Sequence, residues 1–422
     1  MSWLKPVSGI NSEERVGFKS PIVMGALALV VLYFFGLAGR SGQTTFELTR
    51  KQDLIQLPAF EIGSAQLGVI AGVSMLLVAV ASLLLSLRNS KTPIWLASIY
   101  GFLGVTALLG WLAADNSVPV VFIAGTALVL AVPIMLGAMA GVMSERSGIT
   151  NIAIEGQLLT GAFMAAVVSS ITDSFTLGIV AAMVTASLIS MVLAVFAIKF
   201  LAQQIIVGVV LNVLVIGITN FLYQQWLTED GENVNFPGTL DIVKIPFLSD
   251  IPVLGPVLFE NRITVFAALL IVPALWFVLF KTKLGLRARA VGEHPLAADT
   301  VGINVSRTRF WWVTIGGAIA GLGGAALTVG NAGAFGREMS GGFGFIALAV
   351  VILGRWHPIS AALAALLFGF SIILRVWANQ VSPGIPTDFI TMVPYIVTII
   401  AVVGFVGQSR PPKSLAIPYV KG

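Results

Sequence analysis

Residues 143–157 read MSERSGITNIAIEGQ, a polar, glycine-bearing stretch between two apolar runs, 119–143 and 157–171. Residues 334–358, AFGREMSGGFGFIALAVVILGRWHP, present a comparable interruption in the second half of the chain. A helix needs about 20 apolar residues to cross a hydrocarbon core about 30 Å thick. Gly-rich polar segments at matching positions of two halves are the sequence mark of a transporter repeat with a substrate site at its centre. The two stretches therefore predict paired halves, each containing an interrupted helix.

Working outward from these breaks, further apolar runs cover 21–38, 67–87, 93–113, 176–199 and 205–226, then 263–280, 310–330, 343–354, 359–377 and 389–407. The run 343–354 is too short to cross unaided. The expected fold is an all-α membrane protein, a polytopic helical bundle of about 10–12 transmembrane helices. Composition agrees: 57% of the 422 residues are hydrophobic and 10% charged, with a mean hydropathy of +0.97. Soluble domains carry about 25% charged residues. A membrane barrel would show segments of about 10 residues with alternating polarity, and none is present.

The basic balance, pI near 9.6, reports orientation rather than nucleic-acid binding, because Lys and Arg sit in short stretches between apolar runs. Residues 281–309 hold Lys281, Lys283, Arg287, Arg289, Arg307 and Arg309 against Glu293 and Asp299, so this segment is expected in the cytoplasm. The tail 408–422, with Arg410, Lys413 and Lys421 and no acid, joins it there, while the acid-rich loop 227–262 faces outward. Residues 1–20 form a cytoplasmic segment without a cleavable leader pattern, so both termini are expected inside. With no Cys and only His294 and His357, no metal site or disulfide is expected.

Asn151 precedes Glu155 by four residues, which places both on one face if the stretch is helical. Ionisable groups at membrane depth usually serve a pathway, but a carboxylate also suits the positive end of a helix start, and spacing leaves both readings open. Asn212 and Asn220, eight apart in one apolar run, share roughly one face. They either line a polar path or hold helices together. Gly137/Gly141 and Gly317/Gly321 have the GxxxG spacing of close helix packing. The basic loop GLRARAVGEHPLAADTVGINVSRTR is long for a connection in a bundle, and Ala297 and Ala298 before Gly302 suggest a short helix on which a partner docks.

That loop resembles the segment by which permeases of bacterial ABC importers for nucleosides and simple sugars engage their ATPase, a family related to ribose and branched-chain amino acid permeases. MSERSGITNIAIEGQLLTGAF is similar to the family signature of Ser-Glu-Arg, Gly, Asn and Glu-Gly, and SGGFGFIALAVVILGRWHP to its second-half signature. Leu211-Asn212 and the tail RPPKSLAIPYVKG are also similar, the tail to nucleoside permeases in particular. Three departures stand out: His294 replaces an expected Asn, Gln203 and Gln204 replace a common acid, and the first hundred residues match poorly.

The resemblance implies a permease core over 118–407, preceded by extra helices over 21–113, with an ATPase-coupling loop at 281–309. It implies contact residues Glu293, His294, Pro295, Ala297, Ala298, Thr300, Gly302 and Ile303. It further implies a second permease subunit, a heterodimer in preference to a homodimer, a cytoplasmic ATPase, an extracytoplasmic solute-binding lipoprotein, and a place in the bacterial inner membrane. No G-x-x-x-x-G-K-[ST] loop is present, so no cofactor is expected in this chain and ATP is expected on the partner ATPase. Asn151, Glu155 and Asn212 are expected near the translocation path and central gate. The expected function is nucleoside import, with simple sugars or branched-chain amino acids as alternative cargo and an ion-coupled carrier as the alternative from another class. No hydrolase or zinc motif is present, so the chain is not expected to be an enzyme.

Overall fold

A computed structural model describes residues 18–90, 92–228, 231–382, 392 and 410–420. Ten helices among them are long and apolar enough to cross a membrane. They are α1 (Lys19–Val31, continued by a widened turn to Leu37), α2 (Ser64–Leu87), α3 (Ile94–Leu112), α4 (Val120–Arg146), α5 (Ile154–Thr172), α6 (Phe175–Ile198) and α7 (Gln204–Leu222). After a four-residue helical turn, α8 (Gly231–Val234), come α9 (Ile263–Lys281), α12 (Val305–Leu327) and α14 (Pro358–Val381). Between α9 and α12 lie two helices too short or polar to span, α10 (Lys283–Glu293) and α11 (Pro295–Thr300). Between α12 and α14 lies α13 (Phe343–Leu353), eleven residues and short of a full crossing. The run expected at 389–407 falls, apart from Met392, outside the described residues.

Small residues decide which helices touch. Lipid tails are as apolar as leucine, so helices in a membrane associate by close packing rather than by hiding from water. A Cβ on Gly321 would strike the Ala182 backbone and one on Gly317 the Ser190 hydroxymethyl, which brings α12 onto α6. Gly161 of α5 faces Gly321, and Gly324 of α12 faces the backbone of Leu158 and Ala162. Gly137 and Gly141 open a groove on α4 into which Ala347 and Val351 of α13 fit. Both GxxxG pairs are thus packing seams.

The break at 143–157 differs from an interrupted helix. α4 continues through Arg146, and residues 147–153 are a buried, non-helical connection that turns at Gly148, φ +93°, a left-handed value favoured by glycine. Asn151 therefore lies outside any helix, and the expected shared face with Glu155 does not form. The second break, 333–342, also joins two helices: it follows the widened end (Thr328–Ala332) of the complete crossing α12 and leads into the short α13.

Two small sheets lie in the connections, which the all-helical expectation left out. β1 (Gln43–Glu47) pairs antiparallel with β2 (Phe60–Gly63) and parallel with β3 (Ser117–Pro119). β4 (Val243–Lys244) pairs with β5 (Glu260–Asn261). α1, α2 and α3 pack together through Met24, Ala28, Met75, Ala79 and Tyr100. Leu109 and Leu112 of α3 join Ile373, Leu374 and Trp377 of α14, which fastens this unit to the core. Arg50 adds a polar tie, bonded to Asp53 and to Glu260, which also pairs with Lys244 at 2.9 Å.

Partial burial tends to raise the Glu260 pKa, but the hydrogen bonds and charges of Arg50 and Lys244 outweigh it and hold the carboxyl below its ordinary value. A depressed acid contributes stability above the unfolded pKa of about 4.3 and loses it as pH falls through the folded value. Glu260→Gln should therefore melt below wild type at pH 7, with the gap closing toward pH 3. Thermal unfolding in detergent at both pH values checks this. Gly324→Val should cost at least the about 1–3 kcal/mol of an overpacked core, whereas Val180→Leu, at a half-exposed position, should leave the melting temperature unchanged.

Candidate functional site

The depth of the first break can be measured along α7. Thr150 N–H donates to Gln204 Oε1 (2.7 Å), at the start of that helix, and Gly156 N–H donates to Asn212 Oδ1 (2.8 Å), eight residues later. At 1.5 Å per residue the connection climbs about 12 Å into the bundle before α5 is under way. Gln204 supplies an acceptor oxygen here, which is also what the acid expected near this position would supply.

At that depth Glu155 is 4% exposed. Its carboxylate accepts from Ser340 Oγ (2.6 Å), Gly342 N (2.9 Å) and Gly344 N (2.7 Å). These groups belong to the second break and the first turn of α13, whose free N–H groups and dipole favour an anion. Gly344 permits the approach, because a Cβ there would strike the Glu155 backbone. The far end of α13 is held by the same segment of the first half. Trp356 Nε1 donates to the Glu145 carboxylate, and Arg146 Nε donates to Trp356 O (2.9 Å).

Asn151, fully buried, exchanges two hydrogen bonds with Gln157 (3.1 and 3.0 Å) and donates to Ser144 Oγ (3.3 Å). Asn212, 3% exposed, donates to Ile152 O (2.8 Å) while accepting from Gly156. Asn220 donates to Glu338 Oε1 (3.0 Å) in the second break. The eight-residue spacing on α7 thus lets one helix grip both breaks. Asn151, Glu155 and Asn212 gather around the first break, and each has its partners inside the chain. Ser340, Gly342, Gly344 and Gln157 complete the cluster. The paired Gly-rich segments pointed to them, but one sequence could not pair them with Glu155.

The loop 281–309 folds as a second candidate surface. Thr282 Oγ1 caps α10, and His294 Nδ1 accepts from Ala297 N (3.1 Å) to cap α11, with Pro295 at its first position. His294 thereby performs the capping that the expected Asn would perform. Glu293, His294, Ala297, Thr300 and Gly302 are exposed, Pro295 and Ile303 half-buried. Ala298 turns inward, 3% exposed, against Val291 and Val305, so a bulky residue there would disturb α11 itself. Leu296 and Val301 were not among the expected contacts, yet they are large apolar side chains exposed at α11, 57% and 73%. Among the described residues no cluster of His, Asp and Glu could hold a metal ion.

Residues 123–402 match the family described as branched-chain amino acid transport system / permease component, and the chain belongs to that family. It is a multi-pass membrane permease component and not an enzyme. The guanosine ABC transporter permease protein NupQ of Bacillus subtilis is 40% identical over 70% of this chain and 95% of its own length. The nucleoside ABC transporter permease protein NupC of Lactococcus lactis is 37% identical over the same shares, 70% and 95%. The guanosine ABC transporter permease protein NupP of Bacillus subtilis is 25% identical over 63% of this chain and 76% of its own. No solved structure matches.

Glu155→Gln keeps the volume but removes the charge and sets an amide donor among N–H groups. It should cost about 1.5–3 kcal/mol, the worth of hydrogen bonds to a charged group. Asn212→Ala should cost about 0.6–2 kcal/mol. Thermal unfolding of the purified chain checks both.

Proposed function

We propose that this chain is the permease subunit of an ATP-binding cassette importer for nucleosides. The observation that carries the reading is the 40% identity to a guanosine permease across 95% of that protein's length. The exposed, capped α11 supports it as a docking helix for a separate ATPase, which would bind the ATP. NupP and NupQ, two permeases named for one solute in one organism, support a heterodimer with a second permease. An extracytoplasmic solute-binding lipoprotein would deliver the cargo.

Orientation belongs to the same proposal. The tail lies against α10, with Ser414 N donating to Gly292 O (2.9 Å), so tail and basic loop occupy one face, and their positive charge supports a cytoplasmic side for it. The N-terminus is proposed on the same side. The translocation path is proposed along the two breaks, with Asn151, Glu155 and Asn212 beside it and fixing its walls. A hydroxyl-rich solute needs polar groups at membrane depth, and bare backbone at a break supplies them.

The assembled transporter, reconstituted with its ATPase and receptor, should take up guanosine and other nucleosides at rates at least tenfold above pentoses, hexoses and branched-chain amino acids. Uptake of sugars or amino acids alone would overturn the cargo. Accumulation by the isolated chain under a proton or sodium gradient would favour an ion-coupled carrier instead. Glu155→Gln and Asn212→Ala should lower uptake per assembled complex; unchanged specific uptake in both would remove these residues from the path.

A further inference from the structure

A cleft of about 410 Å³ opens beside α11, lined by Asp299, Ile303, Asn304, Ser306 and Tyr419. The C-terminal tail, which the expected ATPase contacts did not include, contributes Tyr419 to this lining. The tail is fastened in three places. Ser414 N and Oγ donate to Gly292 O (2.9 Å) and Glu293 O (3.2 Å), and Arg309 Nη1 donates to Ile417 O (3.1 Å). Tyr419 packs against Val291, Ala298 and Val305. The cleft is therefore built rather than a gap beside a loose end.

Its charge is opposite to that of its surroundings. The segment 281–309 carries six cations, yet the acid in this cleft, Asp299, has no ion-pair partner among the described residues. Beside it stands Tyr419, whose hydroxyl neighbours the Asp299 carboxylate. A carboxylate without an ion-pair partner suits a cationic side chain, which gains a charge-assisted hydrogen bond there. The cleft is also continuous with the exposed face of α11.

We propose that this cleft receives a lysine or arginine side chain of the ATPase, so that the tail completes the docking surface of α11; the inference rests on the importer reading above. Arg309 ties this surface to the first break, because its Nε donates to Ser147 O (3.2 Å) while its Nη1 holds the tail. Movement of the ATPase against the tail then acts directly on the start of the 147–153 connection.

The chain has no cysteine, so Ser306→Cys in the cleft and Ala297→Cys on α11 each give it a single thiol, which is labelled with a benzophenone maleimide on the purified chain before the transporter is assembled. Both should cross-link to the ATPase on illumination. Asp299→Lys should weaken ATPase association at least tenfold at low salt, and Asp299→Asn should weaken it less and flatten its salt dependence. Normal membrane insertion and melting of Asp299→Asn would establish that the fold is intact. Cross-linking from position 297 but not 306, or unchanged association of Asp299→Lys, would overturn the cleft alone. Cross-linking from neither position would overturn the docking reading on which it rests.

Discussion

The carboxylate of Glu155 is the constraint on which the rest of this membrane domain depends. A carboxylate some 12 Å into the bundle costs free energy unless charge and hydrogen bonds compensate it. Its hydrogen bonds come from the other half of the chain, through the Ser340 hydroxyl and the N–H groups of Gly342 and Gly344, and its place in the first turn of α5 adds the favourable end of that helix's dipole. The dependence runs both ways. α13 is too short to cross and begins inside the bundle, where its first N–H groups would otherwise face no acceptor. Each half therefore satisfies the polar group that the other could not leave bare.

Around that link, polar side chains pin the irregular backbone. Gln204 and Asn212 hold the first break against α7, and Asn220 holds the second against the same helix. Glu145 and Arg146 fix the far end of α13. The path proposed along these segments would offer a solute backbone groups at defined positions. α13 lies between the Glu155 anchor and the Glu145–Arg146 anchor, so a shift in either bears on both breaks. At the end of the bundle where the tail packs, Arg309 closes the circuit, with Ser147 on one side and the tail on the other.

Much of this was legible. The apolar runs gave each described crossing to within a few residues, because hydrocarbon thickness sets helix length and the sequence must supply it. The short run at 343–354 was recognisable as incomplete for the same reason. Gly137, Gly141, Gly317 and Gly321 announced close packing, and Ala297 and Ala298 announced the short helix α11. Less legible was the first break, where the four-residue interval between Asn151 and Glu155 suggested a shared helical face. Gly148 turns the chain there, and the two side chains find different partners.

The sequence alone determined the class of the protein, because apolar length, positive-charge placement and glycine spacing are local properties that any membrane reads in the same way. It also marked Glu155, Asn212 and Asn220 as polar groups in need of a reason. Only the tertiary structure decided what those reasons are. The bond from Glu155 to Gly344 joins positions far apart in the chain, and Ala298 turns inward while Leu296 and Val301 turn out. Hydrogen-bond partners and the exposed side of a short helix depend on what packs nearby, and no local pattern carries that information.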